Sequence, residues 1–202
     1  MNSKAILGLR VVLLLIAVFM GYKIYRIIME PIEFERLQKR RYTAVQSQLE
    51  KLRDAELAYK TEMGTYTGDL NSLLAFVDTG KITIVERKDS SFMYFNRLYQ
   101  KDMNKDTTIT RILGYEPVKN NLFGNDFDVE SLRYIAFSNE VPFEVGAGTI
   151  ERNNVEVPVF EIKAPNTAIF ADKMKTYDQF IDKDYALQVG SLSEPTISGN
   201  WK

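Results

Sequence analysis

Val11-Val12-Leu13-Leu14-Leu15-Ile16-Ala17-Val18-Phe19-Met20 is a run of ten apolar residues, and its reading decides the fold. The apolar character begins at Ala5, is broken only by Arg10, reaches Tyr22, and is prolonged by Ile24, Ile27, Ile28 and Met29. Eighteen helical residues cover about 27 Å and twenty-four about 36 Å, against a hydrocarbon layer of about 30 Å. The run therefore reads as a membrane span carried by Val11, Leu14, Ile16 and Phe19, and its first expected partner is a lipid bilayer. Tyr22 and Tyr25 fall where an interfacial aromatic belt sits, and the long stems of Arg10 and Lys23 reach for headgroups near its two ends. A cleaved secretory signal is the competing reading, because Lys4 and Arg10 precede a run of signal length. Such a signal needs small residues at its cleavage site, and Phe19-Met20-Gly21-Tyr22-Lys23 holds no small-x-small pair.

Outward from the span, Pro31 suits the first turn of a long helix that continues to Met63 with no further Pro or Gly. Val45, Leu49, Leu52, Ala55, Tyr59 and Met63 recur at three- and four-residue steps, so one face requires a partner. Leu49, Leu52, Ala55 and Tyr59 are expected to pack into a head domain; a coiled-coil dimer is the alternative. Glu35 with Lys39 and Glu56 with Lys60 are spaced as surface ion pairs. The first half, 31–41, is crowded with charge and reads as a solvated stretch, with Lys39-Arg40-Arg41 a hydrated face or a contact to anionic lipid. Six Lys or Arg between positions 23 and 42 against two before the central run favour a cytoplasmic C-terminal side. Large C-terminal domains often cross regardless, so charge alone leaves the orientation open.

Gly64 is placed to end the helix and Asp69 to cap a shorter one, with Leu70, Leu73, Leu74 and Val77 on one face, ending at Gly80. The stretch Ala55-Glu56-Leu57-Ala58-Tyr59-Lys60, then Gly64-Thr65-Tyr66-Thr67, then Leu70 and Leu73, resembles the helix terminus and following loop of type II secretion pseudopilins and type IV pilins. Leu122-Phe123-Gly124-Asn125-Asp126-Phe127 is similar to a Trp-Gly-Asn-Pro-Tyr stretch of the major pseudopilins. The resemblance implies a helix half embedded in the membrane and half packed on an antiparallel-sheet head outside the cytoplasm, working with other envelope proteins. Gly8-Leu9-Arg10-Val11-Val12-Leu13 departs from the pilin processing site, which carries an aromatic residue or Met after the Gly and a Glu five residues into the mature helix. The chain also resembles single-span envelope proteins of Bacteroidota.

The expected organisation is an anchor over 1–30, a stalk helix over 31–63 and one α+β head over 64–202. In the head, Lys81–Glu86 reads as a strand. Phe92–Met103 and Thr107–Leu113 read as a hairpin about the polar turn Asn104-Lys105-Asp106. Phe143–Glu151 and Val155–Lys163 make a second hairpin about Asn153-Asn154, with Pro158 marking an edge or a bulge. A helix is expected over Ile169–Ile181 and a last strand over Ala186–Leu192.

Composition narrows the chemistry. The 202 residues include no His and no Cys, which removes imidazole and thiol catalysis, thiolate metal sites and disulfides. With 26 Lys plus Arg against 27 Asp plus Glu, no overall field attracts nucleic acid. Residues 1–63 carry net +4 and the remainder net -5. Asp126, Asp128 and Glu130, near Asn121 and Asn125, form an acidic group that lacks the EF-hand spacing, and their alternation suits the outer face of a strand better than a calcium site. Phe92, Tyr94, Phe95 and Tyr99 have strand spacing and read as core before they read as a ligand patch. Gly146-Ala147-Gly148 reads as a bulge rather than a phosphate loop. No spacing singles out a Ser and Lys pair. The sequence thus favours a non-catalytic, membrane-anchored interaction module without a cofactor, with an envelope hydrolase or a periplasmic ligand-binding module as the alternatives.

Overall fold

Helix α1 runs unbroken over Ser3–Met63. Pro31 lies inside it and forfeits the hydrogen bond that its N–H would give the carbonyl of Ile27. The computed structural model describes residues 3–201, with side chains at all of these except 3–9 and 96, so Lys4, Ala5 and the beginning of the apolar run fall outside the described side chains. Within the described chain, α1 contains a stretch long and apolar enough to cross a membrane. After it come α2 (Leu70–Thr79), β1 (Lys81–Asn96), β2 (Lys101–Pro117), α3 (Val118–Leu122), a 3-10 turn at Val129–Leu132, β3 (Glu144–Arg152), β4 (Val155–Pro165), α4 (Asn166–Ile169), α5 (Met174–Tyr177), a 3-10 turn at Asp178–Phe180, and β5 (Ala186–Gly190). The fold is α+β with two antiparallel sheets, β1-β2 and β3-β4-β5.

The chain divides into two compact units: one takes α1 up to Ser47 with Ile135–Val141 and Ala164–Leu187, the other takes Gln48–Tyr134, Pro142–Lys163 and the chain from Gln188 onward. This replaces the single head expected over 64–202. The reason lies in α1, whose side chains enter the core of each unit: Phe34 and Val45 are buried in the first, Leu49, Leu52 and Ala55 in the second.

In the first unit Phe34 anchors an aromatic cluster, its ring 5.5 Å from those of Phe170 and Tyr177 and 5.7 Å from that of Phe180. One face of the stretch 31–41 is therefore packed, through Phe34 and Arg41, while Glu33, Glu35, Arg36, Lys39 and Arg40 remain exposed as expected of a solvated stretch. The Arg41 side chain is buried: Nη1 donates to the Ile169 carbonyl at 2.7 Å and to Asp172 Oδ1 at 2.6 Å, and Nη2 to Asp172 Oδ2 at 2.9 Å. Its guanidinium lies 5.0 Å from the Phe137 ring and 5.6 Å from the Phe170 ring. Neither sequence reading of Arg41, hydrated face or lipid contact, holds, since a planar fork paired with a carboxylate and stacked on aromatic rings is suited to the interior. Lys39 and Arg40 are exposed. Tyr42 Oη donates to Asn166 Oδ1 at 2.8 Å, and buried Asn166 donates Nδ2 to the Asp182 carbonyl and its N–H to that of Tyr185. The helix expected over Ile169–Ile181 is instead broken into short turns: Ala171 and Lys173 N–H bond back three residues, to Ala168 and Phe170. Fixing Asp172 on Arg41 fits this tightened backbone, an interaction that local spacing does not encode.

In the second unit the face of α1 that required a partner finds one within the chain. Leu49, Leu52 and Ala55 are fully buried, and Tyr59, half-buried, sets its ring edge-on 5.1 Å from Phe76. Gly64, at φ +82°, takes the left-handed conformation that closes α1, its N–H bonded to the Lys60 carbonyl. Asp69 caps α2 by accepting the N–H groups of Asn71 and Ser72, and α2 buries Leu70, Leu73, Leu74, Phe76 and Val77. β3 and β4 pair from Glu144↔Lys163 to Arg152↔Val155, with Asn153 and Asn154 at φ 52° and 60° in the two-residue turn. The register is continuous through Gly146-Ala147-Gly148, so the expected bulge is absent. β4 is central, yet Pro158 lies beyond the part that β5 covers, because the last residue of β5, Gly190, sits against the Phe160 carbonyl.

The first hairpin differs most from expectation. β1 extends to Asn96 and the turn is 97–100, not Asn104-Lys105-Asp106, which lies within β2 opposite Met93, Phe92 and Ser91. One irregularity interrupts the pairing, where Leu113 is extra between Ile112↔Val85 and Gly114↔Ile84.

Replacing Asp172 with Asn should leave a buried guanidinium without its counter-charge and cost roughly 3 kcal/mol. Chemical denaturation of the detergent-solubilised chain measures it, and a loss under about 0.5 kcal/mol, the scale of a surface pair, would show that the pair carries no load.

Candidate functional site

Over residues 10–28 α1 has no buried face. Val11, Leu14, Ile16, Phe19, Tyr22 and Tyr25 are exposed, as are Ile24, Ile27 and Ile28, on every side of the helix. A helix apolar all round is at home in protein core or in lipid, and no described part of the chain covers this one. At its end, Tyr22, Tyr25, Arg26, Met29, Glu30 and Glu33 line one wall of a cleft of about 310 Å³ whose other wall is Thr176 and Tyr177. Arg26 pairs with Glu30 there. The short helix α5 thus meets α1 at the level where the two tyrosines would mark a membrane interface. Sequence reasoning missed this collar, because Lys173–Tyr177 looks like part of a longer helix.

The β1-β2 ribbon is the second feature. Sixteen residues at about 3.3 Å each make an arm about 50 Å long. No described residue from 81 to 117 is buried. Phe92, Tyr94, Phe95 and Tyr99, read as core from their spacing, are exposed, together with Met93 and Leu98. Alternation along a strand is the same whether both faces meet core or both meet something outside the chain, so spacing alone misplaced them. At the base of the arm Thr83 donates its N–H and Oγ1 to the carboxylate of Glu62, which fastens β1 to the end of α1.

The acidic group does not converge. Asp128 accepts the Glu130 N–H and caps the 3-10 turn, while Glu130 is paired with Arg133, whose hydrogen bond holds its carboxyl below the ordinary range. Asp126 is exposed in a turn, not on a strand. Among the described residues no group of three or more acidic side chains is placed to hold a metal ion. Nearby, Asp69, Asn71, Arg133, Tyr134, Phe143 and Val145 line an open cleft of about 410 Å³ in which Arg133 bridges Glu130 and Asn71. Neither Ser nor Lys lines that cleft; its polar side chains are Asp69, Asn71, Arg133 and Tyr134.

One titratable group stands apart. Glu56, expected on the surface beside Lys60, is fully buried; Oε2 accepts the Thr67 N–H at 3.1 Å and Oε1 has no partner. The Lys60 ammonium lies instead over the Tyr66 ring at 4.6 Å. Burial pushes the Glu56 carboxyl up to about 7, against the opposing pull of the Thr67 N–H. The folded state thus holds a proton that the unfolded chain releases near pH 4.5, so stability should fall as pH rises from about 4.5 to 7, by about 3 kcal/mol in all. Glu56→Gln should flatten that slope and stabilise the chain at neutral pH. Melting curves across that interval test it, and a wild-type slope that survives the substitution would assign the titration elsewhere.

Comparison with known protein families, with curated proteins and with solved structures finds no match.

Proposed function

We propose that the chain is a single-pass protein of the cytoplasmic membrane that holds a non-catalytic, pilin-like interaction module on the periplasmic side, where it works with other envelope proteins. One observation carries the reading: from Val11 to Ile28 α1 is exposed on all sides and apolar except at Lys23 and Arg26, then packs against folded chain from Phe34 onward. A helix with that division is matched to a bilayer at one end and to a protein core at the other. The aromatic collar of Tyr22, Tyr25 and Tyr177 supports a membrane interface at the changeover. The ribbon supports the interaction role. None of its described residues is buried, and on its shaft Ile112, Leu113 and Tyr115 offer exposed apolar area to a protein partner. The continuation of α1 directly into a folded module, and the loop Gly64-Thr65-Tyr66-Thr67 that follows, are also what the likeness to pseudopilins implies.

Alkaline phosphatase fused after Lys202 should be active and a cytoplasmic fluorescent reporter at the same point dark; the opposite pattern would place the module in the cytoplasm, as the count of basic residues after the span suggests. For the interaction role, Ile112→Asp with Tyr115→Asp should abolish cross-linking to neighbouring envelope proteins while leaving the melting temperature within about 2 °C, since exposed changes cost little stability. Unchanged cross-linking would exclude the shaft as the protein contact.

A further inference from the structure

We propose that the tip of the β1-β2 ribbon is a second membrane contact, which enters the interfacial layer of a bilayer containing anionic lipid. The argument begins with which way the tip is apolar. In a paired strand, alternate residues point to opposite faces, so Phe92 and Tyr94 lie on one face of the ribbon and Met93 and Phe95 on the other, with Leu98 and Tyr99 in the turn. All six are exposed, Met93 to 74% and Leu98 to 83%. A protein docking on a ribbon covers one face or adds to one edge. A surface apolar on both faces and around its turn fits a medium that surrounds it, as lipid does.

Charge agrees. Residues 81–117 carry seven basic and five acidic side chains, net +2, while the rest of the chain beyond residue 63 carries net -7. Arg97, Lys101 and Lys105 stand among the tip's apolar residues, Lys105 directly opposite Phe92, where their stems can follow the apolar surface and their charges meet lipid phosphates. Two aromatic residues with a phenolic hydroxyl, Tyr94 and Tyr99, suit the headgroup level. The shaft is different: Ser90, Ser91, Thr107 and Thr108 make a polar girdle below the tip. A length of about 50 Å holds the cationic tip several screening lengths, each about 8 Å, from the base of the arm. Depth is bounded by the backbone. Among the described residues no third strand pairs with either edge, and open edges are not tolerated in hydrocarbon, so the tip stops at the interface, within about 5–10 Å of the acyl boundary.

The proposal rests on the anchoring read above only in that the anchor keeps the ribbon near a bilayer, and the test separates the two. The chain has no Cys, so single substitutions Met93→Cys, Thr110→Cys and Leu14→Cys each accept one polarity-sensitive fluorophore. The labelled full chain is reconstituted into phosphatidylcholine–phosphatidylglycerol vesicles, with nitroxide-labelled lipid either in the host vesicle or in added empty vesicles. The Met93 label should shift to the blue and be quenched by nitroxide lipid in one of these two arrangements, while the Thr110 label on the shaft stays open to aqueous iodide. Quenching at Met93 should fall several-fold in pure phosphatidylcholine and in a Phe95→Ser, Leu98→Ser background. A Met93 label that iodide reaches and nitroxide lipid does not would overturn the proposal; with Leu14 quenched in the same vesicles, the anchor would stand without the tip contact. A blue-shifted Met93 label that follows the protein-to-lipid ratio and ignores nitroxide lipid would assign the tip to a second copy of the chain instead.

Discussion

One continuous helix carries two different surfaces. Because α1 is continuous, every side chain on it has its direction fixed by the 3.6-residue repeat, and composition alone must change as the helix passes from one surrounding to the other. From Val11 to Ile28 the helix is exposed on every side and apolar apart from Lys23 and Arg26, with the backbone polar groups bonded within the helix, the condition a bilayer would impose. From Phe34 the solution is a stripe, with Phe34, Arg41, Val45, Leu49, Leu52 and Ala55 buried and Glu35, Lys39, Thr43, Ser47 and Glu50 exposed between them. Each compact unit takes part of this stripe as core, so the helix sets where core can form, and the short elements after Met63 complete it.

The stripe includes two ionisable residues, and the chain treats them differently. Arg41 is given a bidentate carboxylate, a carbonyl and two aromatic rings, which offset the cost of taking a guanidinium out of water. Asp172 is accordingly held below its ordinary range, mainly by its hydrogen bond to Arg41. Glu56 is given one backbone N–H and no cation, so it enters the core more readily as the neutral acid. The first arrangement holds charge in place across the whole neutral range. The second makes the stability of its surroundings respond to acidity, with the proton bound favouring the folded state.

What could be read from the sequence was local. Gly64, the Asp69 cap, the Asn153-Asn154 turn and the buried face of Leu49, Leu52 and Ala55 each depend on residues a few positions apart, and the structure contains all of them. What could not be read was set from a distance. The break in the expected helix at 169–181 goes with Arg41, more than a hundred residues away, and nothing near Asp172 signals it. Glu56 and Lys60 have ideal ion-pair spacing, yet the loop that returns at Thr67 takes the carboxylate instead. The ribbon turn was misplaced for a chemical reason: Asn104-Lys105-Asp106 has turn composition, whereas Arg97-Leu98-Tyr99-Gln100 contains none of the usual turn residues. A turn rich in apolar and cationic side chains is unfavourable as a solvated loop, and that mismatch is itself a sign that the turn meets something other than water.

A long two-stranded ribbon also needs an account of why it is not a liability. Two strands alone are marginal, and open edges invite pairing with other chains. The shaft answers this in its sequence: Arg87, Lys88 and Asp89 on β1 and Asp106 and Arg111 on β2 place charge along both strands, and the irregularity at Leu113 disrupts regular edge geometry near the base. Thr108 bonds Asp89 across the pair, tying the middle of the arm together without apolar contact. Apart from Ile109, exposed opposite Lys88, apolar residues are thereby concentrated at the tip and near the base, with a charged and hydroxylated section between. An arm whose only purpose was to add a strand to a partner would have kept its middle edge clear. This arm discourages pairing along its middle and exposes apolar residues at the tip and near the base, a distribution suited to contact through those two ends.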